Sequence, residues 1–513
     1  MPPPTRRRTR LAAAALALAA VAAAAAALLA APPTASADAD GLSAQTAAAV
    51  DEILSDAALP SAIWAVLAVD TRTGRTVVSR QAETLLMPAS TLKLFTTATA
   101  LDALGPDFRF VTGLYEFGRV EGGTLRGDLV IRGAADPTFG SNEMEGLANP
   151  LTRWAEALAA AGVRRIEGRI IGDDDRTEDA PYSEGWDVTH VGTEAYAPAS
   201  GGLAYADNLL SVRLTGGRDA AAESSPAGFA TVRRDLSPAS GRATLTVERA
   251  LGSDDYTLSG SAPATYRGTL RLPVANPTRY AVHAFAARLA AAGIDVSQAT
   301  LWDVDDVDRK PVYDGMAPLM VAVSPTLTRI VAHTNQESDN LYAEQLLRAL
   351  TDAGTVEAGV GRVEAFLARA GAPDADDLSI MDGSGLSRKD LITPAAMVAL
   401  LRTMLGHPAR DAFVASLPTG GGAGSTLRNR LADTPVRAKT GSISFARCLS
   451  GYVTGPNGST IAFSIMANNY TESGSRITAA MDAVVRALAT GRRVDTAVET
   501  GSDLDPAETE ADE

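Results

Sequence analysis

The chain has 513 residues, 46 Lys and Arg against 61 Asp and Glu, and a formal net charge of −15. That length exceeds one ordinary domain and easily buries a large core, while the negative balance argues against nucleic acid or an anionic membrane surface as a partner. A single cysteine, Cys448, excludes an intramolecular disulfide, so packing must stabilise the fold. It lies in the strand-like run "ARCLSGYV" and reads as a plain buried thiol.

The first residues are "MPPPTRRRTR", with Arg6, Arg7, Arg8 and Arg10, followed by an apolar, Ala-rich run from Leu11 to Ala31. "ASA" at Ala35–Ala37 offers a small-x-small cleavage site before Asp38. This is the layout of a secretory signal peptide over residues 1–37, implying export to the periplasm, cell wall or medium with no stable membrane partner after cleavage. The alternative is a retained anchor, since a run of about 20 apolar residues can span a bilayer. No Cys follows the run, which excludes a lipoprotein anchor. Loss of the four arginines takes the net charge to −19.

Next, "ALPSAIWAVLAVDTRTGRTVVSRQAET" gives two strand-like runs around the turn "RTGR". "MPASTLKLFTTATALDAL" then predicts a helix start, with Pro88 before Ser90 and an apolar stripe through Leu92, Phe95, Leu101 and Leu104. Ser90 and Lys93, three apart, share one face of it. "LTRWAEALAAAGVRRIEGRIIGDD" reads as a helix from Leu151 to about Ala161 and then a strand, and the pattern returns in "NPTRYAVHAFAARLAAAGIDVSQATLWDV". Between the copies, short strand-like runs with turn residues predict a small all-β module. From Ser324 the chain turns helical, then gives three strand-like runs ("TPVRAKTGSIS", "CLSGYVTG", "TIAFSIMANN") and a last helix.

These shifts predict a discontinuous α+β catalytic domain over residues 38–115 and 318–492. A second domain is inserted at 116–207 and 262–317, and it carries a β-rich third domain at 208–261. Residues 493–513, whose run "DTAVETGSDLDPAETEADE" has no basic residue, read as a disordered solvating tail.

The four histidines (190, 283, 333 and 407) are scattered without a metal-ligand spacing, so no metal or cofactor is expected. A His-dependent serine hydrolase would usually show G-x-S-x-G, and no serine here has Gly at both flanking positions of that motif. His333 reads as a helix-surface or packing residue. Lysine is more informative, occurring only at 93, 310, 389 and 439 in a chain that otherwise uses Arg. A lysine amine can give up its proton when buried or crowded by cations, which Arg cannot do. Lys310 and Lys389 read as surface residues, whereas Lys93 and Lys439 fall in motifs: "STLK" (Ser90–Lys93), "SDN" (Ser338–Asn340) and "KTGS" (Lys439–Ser442).

Three such motifs in this order resemble the active-site serine penicillin-recognising enzymes. The flanks "SPTLTRIVAHTNQESDNLYAEQLLRAL", "DGSGLSRKDLITP" and "VRAKTGSISFARCLSGYV" are similar to the low-molecular-mass penicillin-binding proteins of the D-alanyl-D-alanine carboxypeptidase/endopeptidase type. Ser90 and Ser338 lie 248 residues apart, which fits the three-domain subgroup, as do "GDLVIRGAADPTF" and "GRIIGDD". The resemblance implies an antiparallel sheet flanked by helices, peptidoglycan stem peptides as substrates and β-lactams as inhibitors. It implies Ser90 as nucleophile and Lys93 as its base, with a proton affinity lowered by the helix N-terminus and by Lys439. Ser338 would relay a proton to the leaving amine, and Asn340 would hold the substrate backbone and the lysines. Lys439, Thr440 and Ser442 would bind the terminal carboxylate, with Gly441 admitting the peptide against the strand. "DGSGLS" (Asp382–Ser387) reads as a turn, and Trp186 and the Tyr196–Ala199 run as core and loop. A β-lactamase-like hydrolase and a non-catalytic wall-binding protein are the rival readings. The first lacks an evident Glu for deacylation; the second predicts decayed motifs.

Overall fold

The computed structural model describes residues 37–493 except 57–58, 60, 145, 217–221 and 373–377. Of the expected signal peptide (1–37) all but Ala37, and of the expected acidic tail (493–513) all but Arg493, lie outside the described residues. The chain opens with α1 (Ala37–Leu54) and the hairpin β1 (Ile63–Asp70) and β2 (Thr76–Arg80). The Asp70 carboxylate forms the hairpin turn by accepting the N–H groups of Arg72 and Thr73 at 3.0 and 2.9 Å. A 3₁₀ turn, Ala89–Leu92, runs into α2 (Lys93–Leu104). From Lys93 to Leu101 every residue of α2 is buried, so it is a central helix covered on all sides rather than an amphipathic surface helix.

The inserted unit begins with β3 (Val111–Glu121), β4 (Thr124–Arg132), α3 (Pro150–Ala160), β5 (Arg165–Glu167) and β6 (Arg169–Asp173). It continues through β7 (Leu209–Thr215), β8 (Ala222–Ser225), β9 (Thr231–Pro238), β10 (Thr244–Arg249), β11 (Asp255–Ala262) and β12 (Arg267–Pro273). It closes with α4 (Pro277–Ala291), β13 (Thr300–Asp303) and β14 (Met320–Val323). The internal repeat has a physical basis: α3 and α4 both start on an Asn-Pro pair. Asn149 caps one by accepting from Thr152 N and Asn276 caps the other by accepting from Arg279 N. Each helix leads to a parallel strand of the sheet ordered β13-β6-β4-β3-β14, with β5 beside β4.

Two differences from the sequence-derived boundaries have the same cause, strand pairing. The ladder from Val111↔Val323 to Leu114↔Met320 carries both crossing segments into the second sheet, where the composition shift pointed to 115/116 and 317/318. Likewise β12 pairs with β7 from Arg267↔Thr215 to Pro273↔Leu209, so the β-rich part extends past residue 261. Its two three-stranded sheets, β12-β7-β8 and β10-β11-β9, share one core with the second unit through Val212, Leu214, Tyr256 and Leu258.

After the insert come α5 (Leu327–Gln336), α6 (Asn340–Ala349), α7 (Val356–Arg369), α8 (Pro394–Gly406) and α9 (Arg410–Ser416). The chain ends in β15 (Val436–Ile443), β16 (Ala446–Thr454), β17 (Thr460–Asn468) and α10 (Gly474–Thr490). The last three strands join the first hairpin in a five-stranded antiparallel sheet ordered β15-β16-β17-β1-β2. One face packs on α1 and α10 through Val50, Trp64, Phe463 and Val484. The other packs on the helical layer through Phe95, Ile330, Leu346 and Met397. This is the α+β arrangement expected from the sequence, and the site lies where α2 meets β15.

Candidate active site

Ser90 sits in the 3₁₀ turn, just after Ala89 at φ +46°, and Lys93 opens α2 with no exposed surface. The Lys93 Nζ donates to Ser90 Oγ at 2.9 Å, to Asn340 Oδ1 at 2.5 Å and to the Ser384 carbonyl at 2.7 Å. Burial lowers its pKa to about 8, against the pull of Asp382, Asp339, Glu344 and Asp390, which favour the charged form. The cause expected from sequence therefore changes. Desolvation leads, and the repulsion between the two lysines falls on Lys439, held well below the ordinary lysine range by burial and then by Lys93.

The "SDN" motif joins the site from the start of α6. Asp339 caps that helix by accepting from Tyr342 N at 3.1 Å, and Ser338 takes a left-handed φ of +64°. A non-glycine residue there costs on the order of 1–3 kcal/mol, held by the surrounding contacts. Lys439 Nζ donates to Ser338 Oγ and to the Thr440 carbonyl, both at 2.8 Å. Asn340 is fixed at both ends, since its Nδ2 donates to the Tyr196 carbonyl of the inserted unit at 2.7 Å.

β15 forms the edge of its sheet. Ala438 N points away from β16 to the Pro418 carbonyl at 2.9 Å, so by strand alternation the backbone groups of Thr440 and Ser442 face the same, open side. An extended peptide can pair with that edge. The reason for Gly441 differs from the one expected: a Cβ there would stand 2.7 Å from the Pro88 carbonyl and 3.0 Å from Thr91 N. Glycine is needed so that the strand can approach the turn that carries Ser90. The Ser442 hydroxyl is buried without a protein partner. Cys448, opposite Gly441, is a buried thiol whose pKa burial pushes up, as the sequence implied.

All eight residues of the three motifs singled out thus converge on one place. What sequence reasoning missed is the "DGSGLS" turn, which supplies the Ser384 carbonyl to Lys93, and Trp186, whose Nε1 donates to Asp382 at 2.8 Å. Tyr196 also enters through its carbonyl. The glycines of the turn were the available signal, because Gly385, at φ +82°, lies where a Cβ would overlap the Ala89 carbonyl. Glu344 is buried nearby but is occupied by Arg348 (2.9 Å), Ser183 (2.8 Å) and Gly383 N (2.8 Å). His333 packs on the Tyr342 ring, and Lys310 and Lys389 are half-exposed, in ion pairs.

Comparison with known proteins agrees with this geometry. Residues 46–489 match the D-Ala-D-Ala carboxypeptidase 3 (S13) family. The chain belongs to that family. It is a serine-type D-Ala-D-Ala carboxypeptidase of the penicillin-binding class. A D-alanyl-D-alanine carboxypeptidase from Actinomadura sp. is 33% identical over 471 aligned residues, covering 86% of this chain and 84% of the relative. The D-alanyl-D-alanine carboxypeptidase DacB of Haemophilus influenzae is 24% identical, covering 75% and 81%. The crystal structure of penicillin binding protein 4 (dacB) from H. influenzae superposes with a TM-score of 0.70 at 22% identity, over 83% of this chain and 94% of that one. That likeness shows the fold.

Proposed function

We propose that Ser90 is the nucleophile and Lys93 the base of a D-Ala-D-Ala carboxypeptidase acting on peptidoglycan stem peptides outside the cytoplasm. Neutral Lys93 takes the Ser90 proton as the hydroxyl oxygen bonds to the penultimate D-Ala carbonyl carbon. The C–N bond then breaks, and the departing D-Ala amine receives a proton through Ser338, which Lys439 holds. Water hydrolyses the ester and restores Ser90. Lys439, Thr440 and Ser442 meet the terminal carboxylate, and the N–H groups of Ser90 and Ser442 serve the oxyanion, each donor being worth about 3 kcal/mol. A β-lactam enters the same path and remains on Ser90.

The observation that carries this reading is the 2.9 Å contact between a fully buried amine and the Ser90 hydroxyl. The test is release of D-Ala from a pentapeptide ending in D-Ala-D-Ala, with a cross-linked muropeptide dimer assayed in parallel for endopeptidase cleavage. Wild-type protein is expected to release D-Ala and Ser90→Ala to release none. Equal release by both would overturn the assignment.

A further inference from the structure

Beneath Lys93 the turn Met381–Ser387 is tied down at almost every backbone group. Asp382, with no exposed surface, accepts from Ser384 N (3.1 Å), Gly385 N (2.7 Å), Ser387 N (2.9 Å), Ser384 Oγ (3.1 Å) and Trp186 Nε1 (2.8 Å). Glu344 takes Gly383 N, and Thr96 Oγ1 donates to the Gly383 carbonyl at 2.7 Å. Asp390, equally buried, accepts from Met381 N at 2.7 Å, while its Oδ2 receives no donor and its side chain meets Asp382. Burial, and then the neighbouring Asp382, push the Asp390 carboxyl well above the ordinary carboxylate range.

The carbonyl this turn presents to the site is that of Ser384. It is a pure acceptor, and so is Asn340 Oδ1, whose amide nitrogen is committed to Tyr196. A neutral lysine has two N–H bonds and one lone pair. With both N–H bonds taken by acceptors that cannot donate, the lone pair is left facing Ser90 Oγ. We propose that Asp382 is a positioning residue for the acylation base: it shapes the turn that aims Lys93 at Ser90, and Trp186 of the inserted unit holds Asp382 in place. This rests on Lys93 being the base.

Several charged groups face Lys93: Asp382 from the turn and Asp390 just after it, Asp339 capping α6, Glu344 with its partner Arg348 on α6, and Lys439 from β15. Asp382 favours the protonated amine, so a change at Asp382 moves the pH at which Lys93 becomes a base. The experiment is the pH dependence of benzylpenicillin acylation of the full mature chain, comparing wild type with Asp382→Asn and Trp186→Phe. Asp382→Asn removes a negative charge and is expected to move the acid limb down by about 0.5 pH unit or more, with a slower plateau. Trp186→Phe removes a donor that offsets that charge and is expected to move the limb up.

Limbs that superimpose on wild type would overturn the proposal, since a purely structural role lowers the rate without moving them. If Asp382→Asn does not fold, Trp186→Phe, a change at a partly buried ring, decides alone. Lys93→Arg separates the two levels. Normal acylation by that variant refutes the base itself, whereas an inactive Lys93→Arg with unmoved limbs in the other two refutes only the positioning role.

Discussion

A lysine with no exposed surface must be held by its neighbours, and Lys93 is held by three oxygen atoms, one of them on the serine it would deprotonate. With its pKa brought to about 8, acylation should rise with pH through that value as the amine loses its proton. Arg keeps its proton there, so Lys93→Arg is expected to fold but to acylate at least about 100-fold more slowly in single-turnover assays at pH 8. The Ser90–Lys93 pairing was legible because helical spacing puts residues three apart on one face, and because lysine is rare in this chain. The cause of the lowered pKa was less so. The apolar stripe of α2 looked one-sided, yet Thr96, Thr97 and Thr99 are buried as well, which only the surrounding elements could reveal.

At the scale of elements, β15 and the 3₁₀ turn approach closely enough that no side chain fits at position 441. Gly441→Ala is expected to push the strand away from Ser90 and cut acylation at least about tenfold, with a stability loss of about 1–3 kcal/mol from overpacking. Acylation kinetics and the urea midpoint of the same preparation check both. "KTGS" was readable as a motif on a strand, but what its glycine faces was not, since sequence alone does not say which element covers which side. "DGSGLS" was read correctly as a turn and incompletely as a part. Its contribution to the site is a carbonyl, and a backbone atom leaves no signature in residue type.

Across the whole molecule, the site joins segments as far apart as Ser90 and Ser442, 352 residues along the chain, and is closed by the inserted unit through Tyr196, Trp186 and Ser183. The order of the three motifs pointed to an interrupted unit, and the first hairpin and the last three strands do share one sheet. The boundaries of the insert shifted because strand ladders, rather than composition, decide where one sheet ends. Stability also has a component set by this burial. Asp136 is buried with its carboxylate on Thr138, and its pKa is raised to about 6. Unfolded, it ionises near 4, so between about pH 4 and 6 the unfolded chain has released a proton that the native one keeps, and stability falls as pH rises. Asp136→Asn removes this dependence. Its stability relative to wild type, from denaturant titrations, should therefore increase between pH 5 and 7.5, by on the order of 1–3 kcal/mol. A constant difference would contradict that account of Asp136.

The central claim is that Ser90 is the residue acylated. Incubation of the purified protein with benzylpenicillin, followed by intact-mass analysis and peptide mapping, tests it most directly. The expected result is one stable adduct on the peptide containing Ser90, absent from Ser90→Ala. An adduct mapped elsewhere, or one that survives Ser90→Ala, would contradict it.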